Sequence, residues 1–258
     1  ECVAYLAGAE VISRKVMEAS PNLKVISRNG VGVENIDHKA AKECGILVKT
    51  TPGANAQGVA ELAISLMFSA VRSIPLSDKH MKEGEWKREK AFELHGKTLG
   101  VIGTGNIGRR VIQMALGIEM NVLGYDLYPN SSFNPSDKFQ YTGLNTLISV
   151  SDVISLHCPP GDIPIIRKDT IGSMKSGVVI VNTARAGVVD EDAIYDGLVS
   201  EKLMCYATDV YKKEPPVMSS LIQHPRCICT PHIGGYTDES INRALEGAVD
   251  NILDVLNS

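Results

Sequence analysis

With 258 residues, 44% of them hydrophobic and 22% charged, the chain has ample material for a packed core, which excludes the disordered class. Its formal net charge of −4 comes without basic clusters, so neither a nucleic-acid backbone nor an anionic membrane is expected as the main partner. No apolar run approaches a membrane span and no signal peptide is visible. Six cysteines are scattered without C-x-x-C or zinc-like spacing, which predicts reduced thiols in a cytoplasmic protein and no metal site.

In chain order, the first predicted strand covers 3–6. It begins so close to Glu1, in a chain without an initiator Met, that missing N-terminal sequence is expected. Strands follow over 23–27 and 46–49, with helices over 13–19 and 37–44. Asp37 is placed to cap the second helix and Gly45 to end it. A longer helix over 58–72 is expected to end or kink at Pro75. The charged stretch 81–90, which holds the only tryptophan, Trp86, reads as a connector between domains.

The next segment carries the strongest signal. A short apolar strand over 98–102 runs into Gly103-Thr104-Gly105-Asn106-Ile107-Gly108, and a helix over 107–116 follows with Ile107, Val111, Met114 and Ala115 on one side. A glycine turn between strand and helix is what a bound pyrophosphate needs. Gly103 permits the tight turn, Gly105 lets the backbone approach the phosphates, and Gly108 lets helix and strand pack closely. The helix N-terminus then offers N–H groups to the anion. A further strand over 121–125 ends in Asp126, 23 residues past Gly103. An acid there accepts hydrogen bonds from a ribose and repels a 2′-phosphate, and the next residue is Leu127 rather than an arginine. NAD is favoured over NADP.

Strands over 139–141, 153–157, 178–182, 204–209 and 227–230 complete the alternation, with a helix over 190–199 between two of them. A last helix over 237–256 carries Ile241, Ala244, Leu245, Ala248, Val249, Ile252 and Leu256 on one stripe, and is expected to cross back to the first domain. The pattern predicts an α/β protein with a doubly wound parallel sheet. The expected domains are 1–75 with 237–258, and 76–236.

Three polar segments follow strand ends, where parallel sheets gather functional groups. They are Thr183-Ala184-Arg185-Ala186-Gly187, Val210-Tyr211-Lys212-Lys213-Glu214-Pro215 and Pro231-His232-Ile233-Gly234-Gly235. With GTGNIG, GYD, NTARAGVVDEDA, TDVYKKEP and TPHIGGYT in this order, the chain resembles the D-isomer-specific 2-hydroxyacid dehydrogenases, most closely their phosphoglycerate dehydrogenase-like branch. SRNGVGVENID and TTPGANAQGVAEL resemble the family's substrate-domain signatures.

The resemblance implies a Rossmann NAD domain, a smaller flavodoxin-like substrate domain incomplete at its N-terminus, and a catalytic set of Arg185, Glu214 and His232. It further implies cofactor contacts at Thr51, Gly103, Gly105, Asn106, Ile107, Gly108, Asp126, Cys158, Thr183, Ala184, Arg185, Asp209, His232 and Gly234. Substrate contacts are implied at Arg28, Asn29, Gly30, Val31, Gly32 and Arg185, and a homodimer through the arm that holds Trp86. Physically, Arg185 can clamp the carboxylate of a 2-keto acid, and His232 can donate a proton to the carbonyl oxygen as hydride reaches carbon. Glu214 can fix the imidazole tautomer and stabilise the charged ring. His157 reads as packing.

The sequence departs from the family pattern at Ala186, where glycine is usual, and over 159–164. It leaves several substrates open. Phosphohydroxypyruvate is favoured by the chance that Arg28 pairs with a phosphate, with hydroxypyruvate, glyoxylate and larger keto acids as alternatives. A non-catalytic NAD-sensing module of the same fold is the rival class. A P-loop reading of 91–98 fails because that segment precedes a strand, and no tyrosine has the lysine four residues on that a short-chain dehydrogenase needs.

Overall fold

The computed structural model describes residues 2–257, and these form two compact units. One unit runs to Gly58 and resumes at Gly235; the other spans Val59–Gly234.

The first unit begins with strand β1 (Ala4–Ala7), helix α1 (Arg14–Glu18), strand β2 (Val25–Arg28), helix α2 (His38–Glu43) and strand β3 (Leu47–Lys49). The strands are parallel in the order β1-β2-β3, with Ala4 opposite Val25 and Val25 opposite Leu47. Ile12, Met17, Leu23, Ile26, Ile36 and Ile46 form its core. Asp37 caps α2 by accepting from the Ala40 N–H at 2.8 Å, and Gly45 ends it in the left-handed region at φ +70°.

The sequence reading divides the chain near residue 75, whereas the compact units meet at Gly58/Val59, inside helix α3 (Ala56–Val71). The reason is packing: Ala60, Ala63, Leu66, Met67, Ala70 and Val71 are buried in the core of the second unit. Pro75 also acts differently from expectation. It stands in the first turn of a separate helix, α4 (Ile74–Lys82), where its missing N–H costs nothing. The break falls at Ser73, whose φ is +48°. No single helix among the described residues is long and apolar enough to cross a membrane. The pair α3 and α4 passes that test only jointly, across a 60° bend, and most of α3's apolar residues are core.

The second unit continues through β4 (Thr98–Ile102), α5 (Asn106–Gly117), β5 (Asn121–Tyr125), β6 (Phe139–Tyr141), α6 (Leu144–Val150) and β7 (Val153–Leu156). Then come α7 (Lys168–Ser173), β8 (Val178–Asn182), a 3₁₀ turn (Ala186–Val188), α8 (Glu191–Val199), β9 (Leu203–Thr208) and β10 (Cys227–Cys229). All seven strands are parallel, in the order β10-β9-β8-β7-β4-β5-β6. Alternate residues feed two cores: Val101, Val153, Val179 and Val181 meet α3 and α5, while Ile102, Ile154, Leu156 and Ile180 meet α6, α7 and α8.

Helix α9 (Asp238–Asn257) closes the first unit against β1 and β2. Only part of its expected stripe is covered. Ala244 and Ala248 are buried, whereas Val249 and Leu256 are exposed. Arg243 and Asn251 anchor it by donating to the Ala54 and Thr50 carbonyls at 2.9 and 3.0 Å.

Candidate active site

Parallel strands bring all their C-terminal ends to one edge. In the second unit the order reverses between β4 and β7, so the connections leaving these strands open a crevice at that edge. The glycine turn follows β4, Cys158 follows β7, Asp126 follows β5, and Arg185, Glu214 and His232 follow β8, β9 and β10. At about 4.8 Å per strand, the row from β5 to β10 extends over roughly 24 Å, a length suited to an extended dinucleotide.

The three glycines have different duties. Gly103 has φ +92°, and a Cβ there would stand 2.6 Å from the His157 backbone. A Cβ on Gly108 would stand 2.0 Å from the Gly103 carbonyl oxygen, so only glycine lets α5 begin this close to β4. Around Gly105 nothing lies within 4 Å. That open position, at the N-terminus of a 12-residue helix beginning with Asn106 and Ile107, is the space a pyrophosphate requires.

Asp126 is already tied to this turn. One carboxylate oxygen accepts from the Thr104 N–H at 2.7 Å and hydroxyl at 3.1 Å, and the other from the Tyr128 N–H at 2.9 Å. Burial pushes its pKa up, but these hydrogen bonds outweigh it and hold the group below the usual carboxylate value. The oxygen that accepts from Tyr128 keeps a lone pair for a ribose hydroxyl.

Beyond β7, His157 bonds Ser155 through Nε2 at 2.8 Å, and burial pushes its pKa down to about 3. A ring that stays neutral donates no proton at ordinary pH, in keeping with packing. Burial raises the Cys158 thiol to about 11. Beyond β8, the buried Asn182 side chain shapes the loop by donating to the Arg185 carbonyl and accepting from the Ala184 N–H, both at 3.1 Å. The buried Thr183 hydroxyl has no protein partner among the described residues, an oriented group left for a ligand. Arg185 is half-buried, and its Nη1 donates to the Ala184 carbonyl at 2.8 Å. Ala186 opens the 3₁₀ turn without positive φ, which explains why alanine serves there.

His232 Nδ1 meets both Glu214 oxygens, at 2.9 and 2.8 Å. Nδ1 is thereby engaged, and Nε2 is the nitrogen left for chemistry. His232 sits at φ +53°, and Asp209 holds the turn around it. Asp209 is 2% exposed and accepts from the Thr230 hydroxyl at 2.6 Å and from the Ile233 and Gly234 N–H groups at 2.8 Å each.

In the first unit, Thr51 closes the loop after β2: its hydroxyl accepts from the Gly30 N–H at 3.0 Å. Arg28 braces the same loop. Its Nε donates to the Gly32 carbonyl at 2.9 Å, and its Nη1 donates to the Asn29 and Ala7 carbonyls. Only Nη2 is left by these bonds, so the loop takes the two-pronged edge that a phosphate would favour. Asn29, Val31 and Gly32 are partly or fully exposed beside it.

Thr104, Asn182 and Tyr211 escape the sequence reading. Tyr211 donates from its hydroxyl to the Thr230 carbonyl at 2.8 Å and from its N–H to Glu214 at 3.2 Å, joining the loops after β9 and β10. Each lies beside a residue already singled out. Only the fold shows that Thr104 and Tyr211 cross between loops, and that Asn182 braces its own loop and strand β9.

A family model described as the D-isomer specific 2-hydroxyacid dehydrogenase, NAD binding domain, matches residues 64–234. The hydroxypyruvate reductase of Thermotoga maritima is 42% identical over 248 residues, covering 93% of this chain and 80% of its own. The D-3-phosphoglycerate dehydrogenase of Archaeoglobus fulgidus is 42% identical over 234 residues, 89% of this chain but 44% of its own. The D-lactate dehydrogenase of Aquifex aeolicus, solved with NAD and lactic acid, superimposes with a TM-score of 0.86 at 31% identity, covering 100% of this chain and 84% of that one.

Proposed function

Because the chain belongs to the D-isomer specific 2-hydroxyacid dehydrogenase family, we propose that it interconverts a D-2-hydroxy acid and its 2-keto acid, with NAD as the cofactor. The residues fit that cofactor: an open glycine turn at a helix N-terminus, a carboxylate with a spare lone pair after β5, and an unpartnered buried hydroxyl after β8. NAD, when bound, supplies or accepts the hydride. Gly103, Gly105, Asn106, Ile107, Gly108, Asp126, Cys158, Thr183, Ala184, Asp209 and Gly234 are assigned to holding it.

In this reading Arg185 binds the substrate carboxylate and polarises the neighbouring carbonyl. His232, protonated, donates from Nε2 to the carbonyl oxygen in reduction and takes the hydroxyl proton in oxidation. Glu214 keeps the hydrogen on Nδ1 and so aims Nε2 at the substrate. Positioned proton transfer of this kind is worth on the order of 10²–10⁴ in rate. The observation that carries the proposal is the Glu214–His232 contact at 2.8 Å, which joins the loops after β9 and β10 beside the loop after β8 that bears Arg185.

The first unit is assigned to substrate recognition through the backbone of 29–32. The way Arg28 is bound favours a short, unphosphorylated tail such as that of hydroxypyruvate or glyoxylate over phosphohydroxypyruvate. A homodimer in the cytoplasm is part of the proposal, supported by Trp86, 78% exposed in a segment that lies within the second unit rather than between the units, and by the six free cysteines. The test is NADH oxidation over a panel of 2-keto acids. Turnover of at least one short member is the predicted result. A silent panel with tight NADH binding contradicts it and favours the sensor.

A further inference from the structure

Edge strand β10 carries Cys227 and Cys229 two residues apart, hence on one side of the sheet, with their Sγ atoms 3.6 Å apart. Cys229 is exposed and Cys227 half-buried. Cys205, in the adjacent strand, is buried in the opposite core. The pair opens beside a pocket of about 180 Å³ that Tyr206, Tyr211, Lys212 and Cys227 help to line, so a small solute reaches it.

The two thiols are unequal. The hydrogen bond from Cys227 outweighs burial and, with a smaller contribution from the Tyr211 hydroxyl, brings Cys229 down to about 7. The same bond and burial push Cys227 up, so it keeps its proton. A thiolate is the reactive form, and Cys229 is the attacking sulfur. Extended backbone rises about 3.3–3.4 Å per residue, which sets the two Cα atoms roughly 6.7 Å apart. That is at the upper end of the range a disulfide spans, so a bond closes under strain and is readily reduced.

We propose that Cys227 and Cys229 are an oxidisable thiol pair, at which hydrogen peroxide converts Cys229 to a sulfenic acid and Cys227 closes a reversible disulfide. The Cys229 thiolate attacks one peroxide oxygen and the O–O bond breaks. The departing hydroxide takes a proton and leaves as water. Cys227 then attacks the sulfenic sulfur, the S–S bond forms, and the displaced hydroxide takes the Cys227 proton as a second water. Two electrons leave the thiols and reduce the peroxide, and a dithiol reductant reverses the change.

The site is three residues before His232, and Tyr211, which contacts the Cys229 side, also bonds Thr230 and Glu214. Drawing the sulfurs together shifts this contact and lowers turnover, a consequence that rests on the function proposed above. The test treats the whole chain with hydrogen peroxide, alkylates it and digests it with trypsin. Residues 227–243 form one peptide that holds this pair and no other cysteine. The expected product is that peptide lighter by two hydrogens, formed faster than the lone Cys44 is oxidised because a second thiol stands 3.6 Å away to close the bond.

In Cys227→Ser, a sulfenic-acid trap is expected to label Cys229, and turnover is expected to lose its response to peroxide. Oxidation no faster than at Cys44, or no intramolecular bond, overturns the site. A bond that forms without change in turnover overturns the coupling to His232. If the untreated protein turns over no keto acid, the functional reading fails, and the peptide mass alone decides the thiol pair.

Discussion

His232 stands at φ +53°, a region that side chains other than glycine seldom enter and that histidine, asparagine and aspartate enter most readily. Asp209 sustains it with three hydrogen bonds, and Glu214 fixes the ring that results. Replacing Glu214 by Gln keeps an acceptor but removes the charge, and kcat is expected to fall about 10²-fold while NADH binding stays constant, as for loss of aided proton transfer. Arg185→Ala is expected to cripple both kcat and KM for the keto acid; an ordinary kcat/KM would remove the clamp. At Asp126, alanine is expected to weaken NADH binding by about 1.5–3 kcal/mol, the worth of hydrogen bonds to a charged group, and to narrow the preference over NADPH. Fluorescence titration with both cofactors measures it. The neutral His157 ring gives a pH signature. Its folded pKa near 3 lies below the ordinary 6.5, so the folded state binds fewer protons between these values. Its contribution is whole above pH 6.5 and drains away as pH falls toward 3. The stability difference between the protein and His157→Gln is expected to change through that window, and a constant difference would contradict the assignment.

At the scale of elements, strand β4, the glycine turn and helix α5 behave as one piece, and two substitutions separate their duties. Gly108→Ala drives a Cβ to 2.0 Å from a carbonyl oxygen and is expected to cost about 1–3 kcal/mol or more, as overpacking does, seen as a lower melting temperature. Gly105→Ala meets open space. It is expected to melt normally yet bind NADH poorly, because the methyl takes the room meant for phosphate. Equal melting losses in both would contradict this division. The same contrast shows what was legible in advance. Periodicity and turn residues mark β4, α5, β8 and α8 because each is a strongly patterned run with glycine or aspartate at its ends. Helix α4 was hidden: Pro75 reads equally as a stop or as a first-turn residue, and only Ser73's left-handed backbone decides. The short α6 and α7 leave too few turns for a period to emerge.

For the whole molecule, six parallel strand ends carry Asp126, the glycine turn, Cys158, Arg185, Glu214 and His232 in the order of the strands, β5, β4 and β7, then β8 to β10. The residue types at those ends were readable, since each motif follows a strand. Arg28 was not: a sequence shows a cation near a loop, while the fold shows its donors bound to backbone carbonyls. The exposed Trp86 extends the account to assembly. If the proposed dimer forms, Trp86→Ala is expected to raise its dissociation constant by about tenfold or more in sedimentation, the loss of an aromatic anchor; a monomeric parent or an unchanged distribution would contradict this assignment. The central claim is that His232 carries the proton. Steady-state kinetics of His232→Asn with hydroxypyruvate or glyoxylate and NADH tests it most directly. NADH is expected to bind as in the parent protein while kcat falls by about 10²–10⁴. A variant whose kcat stays within a few-fold of the parent would contradict the mechanism.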